Sequence, residues 1–226
     1  MSLQTILSVC ESVGIMDQRF VGQTVSRNQR IVTSEYETVV PFQFELRPMN
    51  YLLYSQNRGV LNALRIPDKS LTQYLNFGTT GWANYIKYQG SMTSAQIAAC
   101  QWQTSSANKA LVLGSLPSIS SAAYIVKAGD FCQVDDHAYI ATADVLRGSG
   151  STVTIPVHRN LIATLSAVQN AVIGQYGTTI SMGGSTYTGI TFPVILREYP
   201  AYTLTPLAND SFINWNGTFK AFEYVA

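Results

Sequence analysis

Charge is what this chain has least of. Of its 226 residues only 12% are Asp, Glu, Lys or Arg, about half the roughly 25% usual in soluble domains. Fourteen cationic residues offset 13 acidic ones, for a formal net charge of +1. The cations are scattered, and the closest pairing is Arg27 with Arg30. Binding nucleic acid by phosphate neutralisation needs a clustered basic face, so no nucleic-acid recognition is expected. A near-neutral, charge-poor surface tends to associate, which a subunit covered by its neighbours can tolerate.

Cysteine is also sparse. Cys10, Cys100 and Cys132 are odd in number and show no Cys-x-x-Cys spacing, which argues against a disulfide scaffold or a zinc site. They read as small buried hydrophobes. Two histidines, His137 and His158, are too few for a metal centre without further ligands in sight. No apolar run approaches the ~18 residues of a membrane span, so no membrane insertion is expected, and residues 1–9 lack the basic start of a signal peptide. Gly-x-Ser-x-Gly and the phosphate-loop signature are both missing. The carboxylates Glu35, Glu37, Glu45, Asp130, Asp144, Glu198, Asp210 and Glu223 sit in no context that pairs them across a cleft. No catalytic, cofactor-binding or metal-binding residue is expected, and the chain reads as a non-enzyme without cofactors.

What is present is β-pattern. From Val40 onward Phe42, Phe44 and Leu46 alternate with Gln43, Glu45 and Arg47, the signature of a half-buried strand; Pro41 marks an edge position or a strand start. Residues 18–32 look extended, and 190–196 and 218–225 read as strands. The turn signal Asn216-Gly217 predicts a hairpin joining 212–215 to 218–225. Aromatics on both faces of that last segment, with Phe219 on one and Phe222 on the other, point to core on one side and a neighbour on the other. Residues 174–189 are rich in Gly, Ser and Thr and read as strands with glycine turns or a mobile loop. Residues 161–173 are ambiguous between helix and strand.

Helix signals are few. Residues 49–64 carry an apolar stripe through Leu52, Leu53, Val60 and Leu61, weakened by Gly59 and ended by Pro67. Leu3, Ile6, Leu7, Cys10 and Val13 recur at helical spacing, so residues 1–17 form an N-terminal arm or short helix. The rest, 18–226, reads as one β-rich domain with a subdivision near 114–122. The expected fold is mainly β, sandwich- or barrel-like, with one or two short helices. Segments 96–103 and 109–113 read as strands. Within 74–90, Gly78 and Gly81 mark a turn into a strand bearing Trp82, Tyr85, Ile86 and Tyr88. Those aromatics are either sheet core and rim or a contact patch for sugar or subunit; Trp82, Tyr85, Tyr88, Phe219 and Phe222 are the candidate interface aromatics.

The stretch 127–157 is the most telling. It reads as short strands joined by tight turns: 130–134, then Asp135-Asp136, then 138–145, then a Gly148-Ser-Gly150 turn and 152–156. Gly129 supplies a positive φ at the strand start, Asp130 bonds the amides of the turn, and Asp135-Asp136 has turn chemistry.

This stretch resembles the Lys-Ala-Gly-Asp-Phe/Tyr-x-Gln hairpin of distal-tail and baseplate-type structural proteins of tailed bacteriophages. Lys127, Gly129, Asp130, Phe131 and Gln133 match its first strand, Tyr139 and Asp144 its second, and Pro156 the strand that follows. The order of segments resembles that family through the second half of the chain and more loosely before it. The resemblance implies a non-enzymatic virion tail component: a β-sandwich subunit made in the host bacterial cytoplasm. It would form a closed ring with copies of itself, commonly sixfold, contacting tail-tube and baseplate or tip proteins. Cyclic heterologous contacts build such rings. The alternative is a carbohydrate- or receptor-binding β-sandwich module of a tail, using Trp82, Tyr85 and Tyr88.

Overall fold

Alternation places every second side chain of a strand on the same face, and the 42–46 pattern does this. In the computed structural model Phe42, Phe44 and Leu46 are buried while Gln43 and Glu45 are partly exposed and Arg47 is exposed. The structure describes residues 3–17, 21–25, 31–35, 40–65, 71–104, 108–162, 165 and 167–225. Of the segment 18–32 expected to be extended, residues 18–20 and 26–30 lie outside the described residues. Among those described the fold is mainly β, 46% strand against 13% helix, with one sheet curled into a half-barrel and three short helices.

The strand Phe42–Pro48 starts just after Pro41 and lies inside an antiparallel five-stranded sheet. The order is Cys10–Asp17, Phe42–Pro48, Phe219–Glu223, Thr191–Glu198, Gln73–Asn76. Pro41 therefore marks the start of an interior strand rather than an edge. A second body of strands comes from the middle of the chain. One sheet is ordered Val153–Pro156, Ala110–Gly114, Gln101–Gln103, Gln169–Asn170, and another His137–Ile140, Phe131–Val134, Val172–Ile173, Tyr176–Gly177. A third, projecting sheet pairs Ala201–Pro206 with Ser211–Asn216 and Leu52–Leu53.

The apolar residues divide accordingly. One core gathers Leu3, Phe42, Phe44, Phe77, Phe192 and Phe219; the other gathers Tyr88, Ile97, Trp102, Leu111, Tyr139 and Ile155. Strands Phe131–Val134, His137–Ile140 and Val172–Ile173 give side chains to both, and Leu116 and Ile119 of the 114–122 segment pack against the second. The first core centres on Phe192. Its ring meets Phe44 at 4.8 Å, Phe42 at 5.3 Å, Phe77 at 5.8 Å and Phe131 at 6.1 Å, mostly edge-on, the arrangement aromatic quadrupoles favour.

Of the arm and short-helix alternatives for 1–17, the described residues form the helix: Leu3–Ser8 buries Leu3, Ile6 and Leu7, and the chain then enters the five-stranded sheet as Cys10–Asp17. Other expectations are corrected. The 49–64 helix shortens to Tyr54–Arg65, because Leu52–Leu53 pairs with the projecting sheet. The 82–88 strand is a 3-10 turn, Ala83–Ile86. Residues 96–99 belong to helix Ser94–Ala99, whose capping box joins Thr93 and Gln96. The ambiguous 161–173 stretch supplies strands Gln169–Asn170 and Val172–Ile173. Residues 174–189 do form strands with a glycine turn: Ile180–Met182 pairs with Ser185–Tyr187 across Gly183-Gly184, both at positive φ. At Asn216-Gly217 the turn exists, but its flanking strands join different sheets and do not pair with each other.

Replacing Phe192 by Ala removes the hub of the first core and is expected to cost about 3–5 kcal/mol. A urea titration followed by tryptophan fluorescence reads this as a lowered midpoint, whereas the exposed Leu71→Ala should leave it within experimental error.

Candidate functional site

The 127–156 module is the place to look for chemistry, because it concentrates polar side chains in short turns. Gly129 has φ +95° and open space where a Cβ would stand, so its role there is conformational. The Asp130 carboxylate, almost fully buried, accepts the Lys127 amide at 2.8 Å and the Gln89 amide at 2.9 Å. Burial pushes this carboxyl above its ordinary value, and the two amides only partly oppose that. Asp144 accepts the Ala128 amide at 2.8 Å. The Lys127 ammonium lies 5.0 Å from the centre of the Tyr124 ring. Strands Phe131–Val134 and His137–Ile140 pair as a hairpin around Asp135-Asp136. Asp135 takes φ +50°, which Asp tolerates better than most residues, and its amide donates to Gln169 Oε1 at 3.2 Å.

Gln133 ties the module to the five-stranded sheet. Its buried side-chain amide donates to the Thr191 carbonyl at 2.7 Å and accepts the Thr191 amide at 2.7 Å, imitating a rung of β-ladder. Its own carbonyl accepts the Trp102 indole N–H at 2.8 Å. The Tyr139 hydroxyl accepts the Ile162 amide at 3.0 Å, Phe131 packs against Phe42 and Phe192, and the Pro156 carbonyl accepts the Thr142 amide. Every motif residue whose polar atoms are tied down is tied to the protein's own backbone.

Below the hairpin lies a group the sequence reading did not single out. Arg159 is almost fully buried and forks onto Glu223, with Nη1 to Oε2 and Nη2 to Oε1 both at 2.6 Å. The same guanidinium donates to the carbonyls of Val40 at 2.7 Å and Ala138 at 2.6 Å. It stacks over the rings of Phe42 and Tyr139 at 5.0 and 5.2 Å. Glu223 also accepts the Phe42 amide at 3.0 Å, and His137 Nδ1 stands 3.7 Å away. Burial alone would raise the Glu223 carboxyl; the Arg159 fork, helped by His137 and the Phe42 amide, outweighs it and holds the carboxyl below its ordinary value. Among the described residues, it is the one of the carboxylates weighed from sequence with a cationic partner in the interior.

The candidate interface aromatics separate on inspection. Tyr88 is buried, donating its hydroxyl to the Ile125 carbonyl at 2.6 Å and accepting the Met92 amide at 3.2 Å. Phe219 is fully buried on an interior strand. Neither presents surface to a neighbour, because each ring fills core. Trp82 is half-buried, its indole N–H donating to the Leu7 carbonyl at 2.9 Å. Tyr85 is exposed along one side, but its hydroxyl donates to the Val13 carbonyl. Phe222 is half-buried beneath the Arg197 guanidinium, 5.0 Å from its ring centre.

Two clefts border these residues. One, of about 430 Å³, is lined by Ser8, Cys10, Thr79, Thr80, Gly81 and Trp82. Its one thiol is pushed up to about 12 by burial and by Glu11, which removes it as a nucleophile. The thiols of Cys100 and Cys132 are likewise raised by burial, and all three cysteines are buried and free, as the sequence led one to expect. The other cleft, of about 370 Å³, lies beside the Asp135-Asp136 turn and is lined by Gln133, Gln169, Asn170 and Thr178 among others. Among the described residues no group of His, Cys, Asp and Glu is placed to hold a metal ion, and no helix is long and apolar enough to cross a membrane. No protein-family model matches the chain, and no curated protein matches it significantly.

The sign of the pH dependence follows from the lowered Glu223 carboxyl. The stability this group confers is complete above the ordinary glutamate range and is lost as pH falls through its folded-state value. Glu223→Gln should lose that acid-limb dependence and cost about 3–5 kcal/mol, since it strands a buried guanidinium. Arg159→Met should reverse the sign: a buried carboxylate without its cation gains from protonation, so acidification should stabilise that variant. Thermal melts of the two variants against wild type between neutral and acid pH separate these outcomes.

Proposed function

We propose that this chain is a non-enzymatic structural subunit of a phage tail. It closes with copies of itself into a ring, sixfold as is common in this class, where the tail tube meets the baseplate or tip. The observation that carries the reading is the use made of the motif's polar groups. Asp130, Gln133, Tyr139 and Asp144 all hold backbone of this same chain, so the module is a brace rather than a reactive site. The other buried carboxylate among the described residues, Glu223, is paired with Arg159. A general acid or base must be within reach of a substrate proton, and these groups are committed elsewhere. The low charge count supports a surface designed to be covered. On this reading the protein is made in the host cytoplasm and ends in the virion tail.

Light scattering on the purified chain, with negative-stain images taken with and without the cognate tube protein, tests it. A closed ring of identical subunits is expected. A chain that stays monomeric in both conditions and binds immobilised glycans in a manner lost on Trp82→Ala would replace this reading with a receptor-binding module.

A further inference from the structure

Sheet edges expose unpaired amides and carbonyls, and proteins usually blunt them. The five-stranded sheet does so at both ends. At Gln73–Asn76 the Gln4 side chain donates to the Asn76 carbonyl at 2.8 Å and accepts the Asn76 amide at 2.7 Å, while Gln73 Oε1 accepts the Leu3 amide. At Cys10–Asp17 the Tyr85 hydroxyl caps the Val13 carbonyl. The projecting sheet is different. Its outer strand Ala201–Pro206 is solvent-exposed at every residue except the half-buried Tyr202 and carries no charged side chain.

The hydrogen-bond phase of that strand can be read from its partner. Leu207 N–H donates to the Asp210 carbonyl, closing the hairpin. Antiparallel pairs then alternate, so Thr205–Phe212, Thr203–Asn214 and Ala201–Asn216 exchange ladder bonds, and the pairs between them do not. Three contacts agree. The Trp215 amide donates to Asn50 Oδ1, the Ile213 carbonyl accepts from Tyr51, and the Ser211 amide donates to Asp210 Oδ1, each away from the outer strand. The residues opposite these in register are Tyr202, Leu204 and Pro206. Their backbone groups therefore point out of the sheet edge, with no partner among the described residues. Pro206 has no N–H to offer, and Pro200 just before the strand has none either, so the outward donors are those of Tyr202 and Leu204.

This set is symmetric about Thr203. We propose that the edge pairs with the same edge of a second copy, antiparallel across a two-fold axis at Thr203. Tyr202 N–H then meets the Leu204 carbonyl of the second copy and Leu204 N–H meets its Tyr202 carbonyl, so every outward donor finds an acceptor. The same register sets the Tyr202 ring beside the Leu204 side chain of the other copy, an aromatic–aliphatic cross-strand pair. No like charges meet, and two three-stranded sheets become one continuous sheet. A two-fold contact is isologous and so distinct from the cyclic contact of a ring; the pairing stands whether or not a ring forms.

The register makes a sharp test. Thr203 would face Thr203 of the second copy in a non-hydrogen-bonded pair, with Cα atoms about 4.5 Å apart, within disulfide reach. Thr205 would face Ala201, leaving the two Thr205 residues roughly 14 Å apart. Under mild oxidation Thr203→Cys should give a covalent dimer on non-reducing gels, wild type and Thr205→Cys should not, and a mixture of Ala201→Cys with Thr205→Cys should cross-link. A Thr203→Cys protein that stays monomeric with native circular dichroism, or Thr205→Cys that cross-links on its own equally well, overturns the pairing. Loss of the cross-link with rings intact would remove this inference and leave the tail reading standing; a cross-link without rings would do the reverse.

Discussion

The fold depends on one buried ion pair and on where its partners come from. Arg159 reaches Ala138, Glu223 and Val40, which are 21, 64 and 119 residues distant in the chain. These belong to the hairpin, the interior C-terminal strand and the segment leading into the Phe42 strand. A buried pair is weak evidence for stability as such, because desolvation offsets much of its attraction. What it does enforce is register. The guanidinium is a rigid planar fork, so both carboxylate oxygens and both carbonyls must arrive at once. A slip of one residue in the C-terminal strand would turn Glu223 away and leave the charge buried alone. Apolar residues can shift and still pack; this arrangement cannot.

The Gln133–Thr191 amide pair is the second tie between the two cores, and it differs in kind. It is neutral, so it carries a smaller desolvation penalty, and it satisfies backbone groups that would otherwise face the interior unpaired. Together the two ties explain why a chain with two apolar clusters need not behave as two domains. The hairpin is held by charge at its second strand and by an amide at its first.

What the sequence made legible was local. The alternation at 42–46 needs only neighbours, and the Gly129-Asp130 turn is closed by a bond spanning three residues, so both could be read directly. The Ser94–Ala99 helix was also readable: Thr93-x-x-Gln96 is a capping-box pattern, but apolar residues nearby drew the segment toward strand. The Ala83–Ile86 turn was not, since aromatics favour strands in general, and its local backbone bonds are reinforced by tertiary ones from Trp82 and Tyr85 to the N-terminal segment. Tyr88 and Phe219 stayed open between core and contact patch because periodicity gives the two faces of a strand without saying whether both are covered. Arg159 was invisible for a related reason. A lone arginine beside a histidine has no local sign of burial, and its partners are named only once the sheet has formed.

The scarcity of charge takes on a sharper meaning once the positions are known. Arg159, Glu223 and Asp130 are drawn into the interior, which leaves the exterior poorer in charge than the composition alone implies. Charged groups keep surfaces apart by holding water and by repelling their like, so a protein that spends part of a small supply on internal bracing gives up some of that protection. Capping by neutral side chains, as at Gln4 and Tyr85, protects two sheet edges without drawing on charge. The strand Ala201–Pro206 has neither device. With prolines bounding its outward donors, it is open to a short strand of matching phase and closed to indefinite pairing. An edge limited in that way fits a defined contact better than it fits either solvent or aggregation.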